Sequence, residues 1–220
     1  MSQLFLVVRL QIQEQLTFQI ANALSEVTGA EDIGVKKANM NIVSMFALAV
    51  LAGAFIALGA IFATTVGTAP EPALSFGVKK LLMGLVFSLG LILVVIGGAE
   101  LFTGNNLIVM AWVSRKVSTR RLLENWGIVY AGNFVGSVAT AVIMFFTRQY
   151  TFAGGELGRT ALEIAAGKTQ LDFVQAIALG MMCNALVCLA IWMTYSARTV
   201  VDKIVAIIFP ITALKFRAPS

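Results

Sequence analysis

The chain has 220 residues, of which 59% are hydrophobic and 12% are charged, and its mean hydropathy is +0.88. Soluble globular domains average about 25% charged residues, so this composition excludes a water-soluble enzyme, a disordered tail and a nucleic-acid reader. The formal charge of +5 is, in so apolar a chain, typical of basic loops at a lipid surface.

The first 37 residues are predicted to form a cytoplasmic N-terminal segment. Apolar residues recur at helical spacing from Leu16 to Val27, which fits either an amphipathic helix on the membrane surface or a loosely ordered tail. The apolar run at residues 4–8 is too short for a secretory signal and is followed by Arg9, so no signal peptide is predicted.

Residues 38–214 are predicted to form one transmembrane domain, because they contain long stretches without charge. A helix needs about 20 apolar residues to cross the hydrocarbon core. The predicted spans are residues 42–66, 81–113, 125–147 and 173–197, followed by a partial span at 204–214 and an atypical tail at 215–220. The sequence therefore predicts an all-α integral membrane protein.

The second span is too long for one straight crossing, and glycines and polar residues interrupt it at residues 97–106. Irregular backbone is tolerated at membrane depth only where protein buries it or where it lines a wet cavity. One interpretation is a helix broken at residues 98–105, as found where transporters bind their substrates. The alternative is a simple kink with Glu100 reaching towards the membrane surface.

Charge and small residues predict how the spans are arranged. Four basic residues between 115 and 121 favour a cytoplasmic N-terminus, which makes the glycine-rich stretch at 148–172 the longest outside loop. Small residues mark helix contacts in a membrane, because lipid gives no hydrophobic drive for helices to associate. The candidates are Gly53, Ala57 and Ala60 in the first span, Gly84 and Ser88 in the second, and Gly132 and Gly136 in the third.

Two blocks of sequence carry a resemblance to a known family. Residues 98–104 read Gly-Ala-Glu-Leu-Phe-Thr-Gly, and residues 183–190 read Cys-Asn-Ala-Leu-Val-Cys-Leu-Ala. With Gly-Val-Lys-Lys-Ala-Asn at 34–39, these blocks resemble the formate/nitrite transporter family over about residues 34–214. The resemblance implies an aquaporin-like fold of six spans, two of them broken, in two inverted repeats. It also implies a homopentamer with one pore per subunit for small monovalent anions such as formate or nitrite.

The same resemblance implies roles for individual residues. Phe87 and Leu91 match the inner pore constriction, Leu101 and Phe102 the hydrophobic residues around the central loop, Thr103 the loop threonine, Lys168 the lysine before the fourth span, and Asn184 the asparagine within it. Gly98, Glu100 and Gly104 match structural positions of the broken loop. Glu100 is either a functional carboxylate or an acceptor for its own loop, and Lys168 is either an anion attractor or an ordinary interfacial lysine. Phe87 and Phe102 are either pore residues or simple lipid- or core-facing bulk. Asn184, a polar residue in the middle of a span, either bonds a neighbouring helix or faces water.

The sequence departs from the family after Leu214, where the second broken loop, its histidine and a last span are expected. The inverted repeat is therefore expected to be incomplete at the C-terminus, as in a truncated member. Three hypotheses follow: an anion channel, a fragment that inserts without transporting or that associates with full-length subunits, and a membrane-embedded enzyme. With no histidine and no nucleophile–base set, the enzyme is the least supported, and no cofactor or metal is expected. The expected location is the bacterial inner membrane.

Overall fold

The computed structural model describes residues 29–68 and 75–215, and this part of the chain is helical throughout, without strands. The amphipathic helix expected between Leu16 and Val27 and residues 216–220 of the expected tail lie outside the described residues. The α-helices are α1 (Ala30–Ala38), α2 (Ile42–Gly67), α3 (Phe76–Ile96), α4 (Phe102–Asn105), α5 (Ile108–Val113), α6 (Thr119–Phe146), α7 (Glu156–Thr169), α8 (Phe173–Tyr195) and α9 (Val200–Lys215).

Four of these helices, α2, α3, α6 and α8, are long and apolar enough to cross a membrane. They fall on the four apolar stretches, although α3 begins at Phe76, five residues before the predicted start. Helix α9 covers the expected partial span and packs against α3 and α8. The all-α membrane architecture predicted from the sequence is confirmed.

The central core joins α2, α3, α8 and α9. Its buried members include Ala52, Leu91, Val94, Val187, Ile191, Ile207 and Ile211. Within this core α3 packs on α2 and on α9, and α9 packs on α8. Helix α6 packs on the other face of α2, and its contact is built on glycine.

The contact between α2 and α6 has no room for a side chain at Gly136. A Cβ atom placed there would collide with the carbonyl oxygen of Val50. One turn earlier, a Cβ at Gly132 would lie 2.5 Å from the Cβ of Ala49. Because dispersion falls steeply with distance, this approach of two backbones is what stabilises the helix pair in lipid.

The second apolar stretch is a broken helix, and this excludes the simple kink. Helix α3 ends at Ile96, and Gly98 then turns the chain with φ +66°. The backbone is extended at Leu101, where φ is −103° and ψ is 129°, before α4 begins at Phe102. A second interruption at Asn106 and Leu107 separates α4 from α5, so this stretch contains three helical pieces where the sequence predicted two.

The connection at 148–172 is more regular than the loop expected from its glycines. A 3-10 turn at Gln149–Gly155 contains the positive-φ residues Gly154 and Gly155, and α7 follows at once. Arg159 lies 3.6 Å from Glu156 and 3.1 Å from Glu163, at i,i+3 and i,i+4 spacing. Such pairs support an exposed helix, and the glycines confine the irregular backbone to its start.

Candidate functional site

A buried polar network holds the broken loop against α1 and α6. The ammonium of Lys37 lies 2.7 Å from Glu100 Oε1, and the Asn105 amide donates to Glu100 Oε2 at 2.7 Å. Asn105 also donates to Asn125 Oδ1 at 2.9 Å and accepts from Lys37 at 3.2 Å. Glu100 is only 3% exposed, and an isolated carboxylate at that depth would be costly. Lys37 therefore neutralises the loop, and the arrangement is what a structural role for Glu100 requires.

Asn133 of α6, to which the sequence gave no role, fixes the start of α4. Its amide donates to the carbonyl oxygens of Ala49 at 2.8 Å and of Glu100 at 2.9 Å. Its own oxygen accepts from the Phe102 N–H at 2.8 Å. The available signal was an asparagine in the middle of an apolar span, which must find a partner.

One cavity, here named the Lys168 cavity, lies among the broken loop, α3, α8 and α9. Its volume is about 460 Å³. Five predicted pore residues line it, namely Phe87, Leu91, Leu101, Thr103 and Lys168. The rest of the wall is mostly apolar and includes Ile56, Cys183, Val187 and Ile211.

A second cavity, here named the Lys37 cavity, lies on the other side of the broken loop and has a volume of about 350 Å³. Its polar lining comes from α1, the broken loop and the end of α8: Lys36, Lys37, Glu100, Asn105, Thr194 and Tyr195. Since Lys37 and Glu100 form an ion pair, the cation left over in this wall is Lys36.

The two cavities lie end to end, and Leu101 lines both of them. On α3, Leu91 lines the Lys168 cavity and Val94, one turn later, lines the Lys37 cavity. On α8, Val187 lines the Lys168 cavity and Ile191, one turn later, lines the Lys37 cavity. The two cavities thus follow one another along α3 and α8, with the apolar Leu101 in the wall of both, Lys168 in one wall and Lys36 and Lys37 in the other.

The structure does not bring Phe102 and Asn184 into either of these two cavities. The Phe102 ring packs edge-on against Tyr130, with 5.5 Å between ring centroids. Asn184 Oδ1 accepts from Asn106 Nδ2 at 2.9 Å, which ties α8 to the chain between α4 and α5.

Three further placements complete the predicted set. Phe87 and Leu91, matched to an inner constriction, line the cavity that contains Lys168, not the one that contains Lys37. Gly98 lies in the Lys37 cavity wall, and a Cβ on buried Gly104 would lie 2.5 Å from Ile191 Cδ1. Within the described residues, no group of three or more His, Cys, Asp or Glu side chains could hold a metal ion.

Comparison with known proteins adds three findings. The sequence model of the formate/nitrite transporter family matches residues 25–217. The formate channel FocA of Haemophilus influenzae is 43% identical over 83% of this chain, and that of Escherichia coli K12 is 41% identical over 83%. This chain spans 64% of the length of each of these two relatives.

Solved structures show the same similarity. A pentameric formate channel with formate bound superposes with a TM-score of 0.76 and 46% identity, covering 81% of this chain and 70% of that one. An FNT family ion channel superposes with a TM-score of 0.72 and 28% identity, covering 86% of this chain and 75% of that one.

Proposed function

Because this chain belongs to the formate/nitrite transporter family, we propose that it forms a membrane path for small monovalent anions, with formate and nitrite as the first candidates. The observation that carries the proposal is the pair of cavities that meet at Leu101. Two adjoining cavities with at least one basic residue in each wall and an apolar side chain between them fit an ion of one negative charge.

The residues of the Lys168 cavity suggest how an anion is admitted. Lys168 raises the local concentration of anions, because a positive charge at the mouth of a low-dielectric cleft focuses the field. The next part of the wall opposes the entry of a bare ion, because an apolar constriction removes the ion's water and offers no polar group to replace it. Its residues are Phe87, Leu91 and Leu101. Thr103 is the polar side chain beside this barrier, and its hydroxyl would replace part of the lost hydration.

We further propose that permeation is linked to protons. Burying an unpaired charge accounts for most of the cost of crossing the Leu101 barrier. Protonation of formate or nitrite gives a neutral acid, which avoids that cost. An inward proton gradient should therefore accelerate uptake of the conjugate anion.

The proposed working form is a homo-oligomer, a pentamer by analogy with the solved formate channel, in a bacterial plasma membrane with a cytoplasmic N-terminus. Helix α8 favours an assembly, because only 17% of the most apolar 18-residue stretch of this helix is buried within the chain. The remaining apolar surface needs either lipid or another copy against it.

The test is uptake of labelled formate and nitrite into proteoliposomes containing the purified chain, with and without a pH gradient. Replacing Lys168 by Gln removes one positive charge from its cavity and should lower flux at low anion concentration about three- to tenfold. Lys203→Gln, an equal loss of charge on α9 outside both cavities, should leave flux close to that of the unmodified chain. Equal flux from both variants would contradict the role of Lys168.

A second candidate function rests on the apolar surface of α8, since only 17% of its most apolar stretch is buried within the chain. In this alternative the chain inserts in the membrane and associates with longer family members without conducting alone. Absence of flux from the chain, together with altered flux when it is co-reconstituted with a full-length relative, would favour association over conduction.

A further inference from the structure

Most polar groups in the wall of the Lys37 cavity are already bonded to one another. The Glu100 carboxylate accepts from Lys37 and from Asn105, each at 2.7 Å. The Thr194 hydroxyl donates to the Ile191 carbonyl at 2.6 Å. Among these groups only the Lys37 ammonium keeps a donor, because two of its three N–H groups are bonded, to Glu100 and to Asn105.

Besides that N–H, two side chains in this wall have donors that no hydrogen bond among the described residues uses: the ammonium of Lys36 and the hydroxyl of Tyr195. Within the part of the chain that the structure describes, neither takes part in a hydrogen bond or an ion pair. Lys36 is exposed on α1, whereas the Tyr195 ring is half-buried and packs against the central core at the end of α8. A packed ring with two side-chain torsions holds its hydroxyl in place at little entropic cost.

The two donors differ in what they recognise. An exposed ammonium attracts any monovalent anion, because its contribution is mainly Coulombic and is screened by salt. A fixed neutral hydroxyl favours an anion in proportion to the anion's strength as a hydrogen-bond acceptor. A carboxylate or nitrite oxygen is a strong acceptor, whereas thiocyanate carries the same charge but accepts weakly.

We propose that the Tyr195 hydroxyl is the recognition donor of the Lys37 cavity and makes it select small carboxylates and similar oxyanions over weakly accepting anions of equal charge. The inference rests on the proposed function and adds to it the group that sets selectivity. Lys36 supplies attraction without discrimination, and Tyr195 supplies the discrimination.

The test measures anion binding to the full 220-residue chain in lipid nanodiscs. The broadening of the ¹³C NMR lines of labelled formate and of labelled thiocyanate reports the binding of each anion. Tyr195→Phe keeps the ring and removes one hydroxyl. Formate binding should weaken about three- to tenfold, the loss of one net hydrogen bond, while thiocyanate binding changes by less than about twofold. Lys36→Gln should weaken binding of both anions.

The matched control is Tyr130→Phe, which removes a hydroxyl from a side chain that is 63% exposed on α6 and outside both cavities. It should leave both affinities unchanged. Unchanged formate binding in Tyr195→Phe, an equal loss for both anions, or no formate binding by the unmodified chain would each overturn the inference. Binding that depends on Tyr195 in a chain without flux would uphold it and contradict conduction instead.

Discussion

Asn133 makes three hydrogen bonds to backbone atoms of other segments, at Ala49, Glu100 and Phe102. Replacement by Ala removes these bonds and takes the Asn133 partner from the Phe102 N–H and the Glu100 carbonyl at the helix break, so we expect a loss of about 1–3 kcal/mol in the free energy of unfolding. Thermal unfolding in detergent measures it. Thr140→Ala is the control, because that hydroxyl bonds only to Gly136 within its own helix. Equal stability of the two variants would contradict the prediction.

Single polar residues in apolar spans were recognisable from the sequence, but their partners were not. Glu100 stood out as an intramembrane carboxylate, yet its partner Lys37 lies 63 positions away, outside the predicted spans. Asn184 needed a partner or water, and the sequence did not show that its partner is Asn106, 78 positions away. Which donor meets which acceptor depends on how the helices pack, and one sequence does not contain that information.

At the scale of helices, the prediction concerns the α2–α6 contact. Gly136→Ala places a methyl group against the Val50 carbonyl, and backbone cannot move aside as a flexible side chain can. The two helices must separate, at a cost of about 1–3 kcal/mol or more, as in other overpacked interfaces. Gly127→Ala on the same helix meets nothing within 4 Å and should be neutral or slightly stabilising. Detergent-unfolding curves of both variants make the comparison, and equal midpoints would rule out this close packing.

The sequence was most informative about long elements. Absence of charge located the four spanning helices, and the glycines at 97 and 98 located the break after α3. The sequence did not predict helices α1 and α7, because both are short, charged and next to glycine. This combination is typical of a loop. Each gains stability from neighbours that the pattern cannot show: α1 packs on α5, and α7 packs on the 3-10 turn.

At the scale of the whole molecule, the proposed barrier is Leu101, which lines both cavities. Leu101→Ala should join them, raise formate flux and admit larger anions such as lactate, because a wider apolar constriction resists dewetting. Leu107→Ala removes the same atoms from a half-buried residue outside both cavities, so it should not change the lactate-to-formate flux ratio. Uptake of both anions into proteoliposomes gives that ratio, and an unchanged ratio in Leu101→Ala would place the barrier elsewhere.

The Lys37–Glu100 ion pair also orders events during synthesis. Lys37 leaves the ribosome before α2, and Glu100 follows only after α3. The positive charge of Lys37 is therefore already at the membrane surface while the two spans α2 and α3 are synthesised. A carboxylate entering hydrocarbon alone would resist insertion. The hairpin of α2 and α3 must therefore close, returning the chain to α1, before the loop can settle at depth. We therefore expect α1 to be in place first and to provide the charged surface against which the broken loop settles.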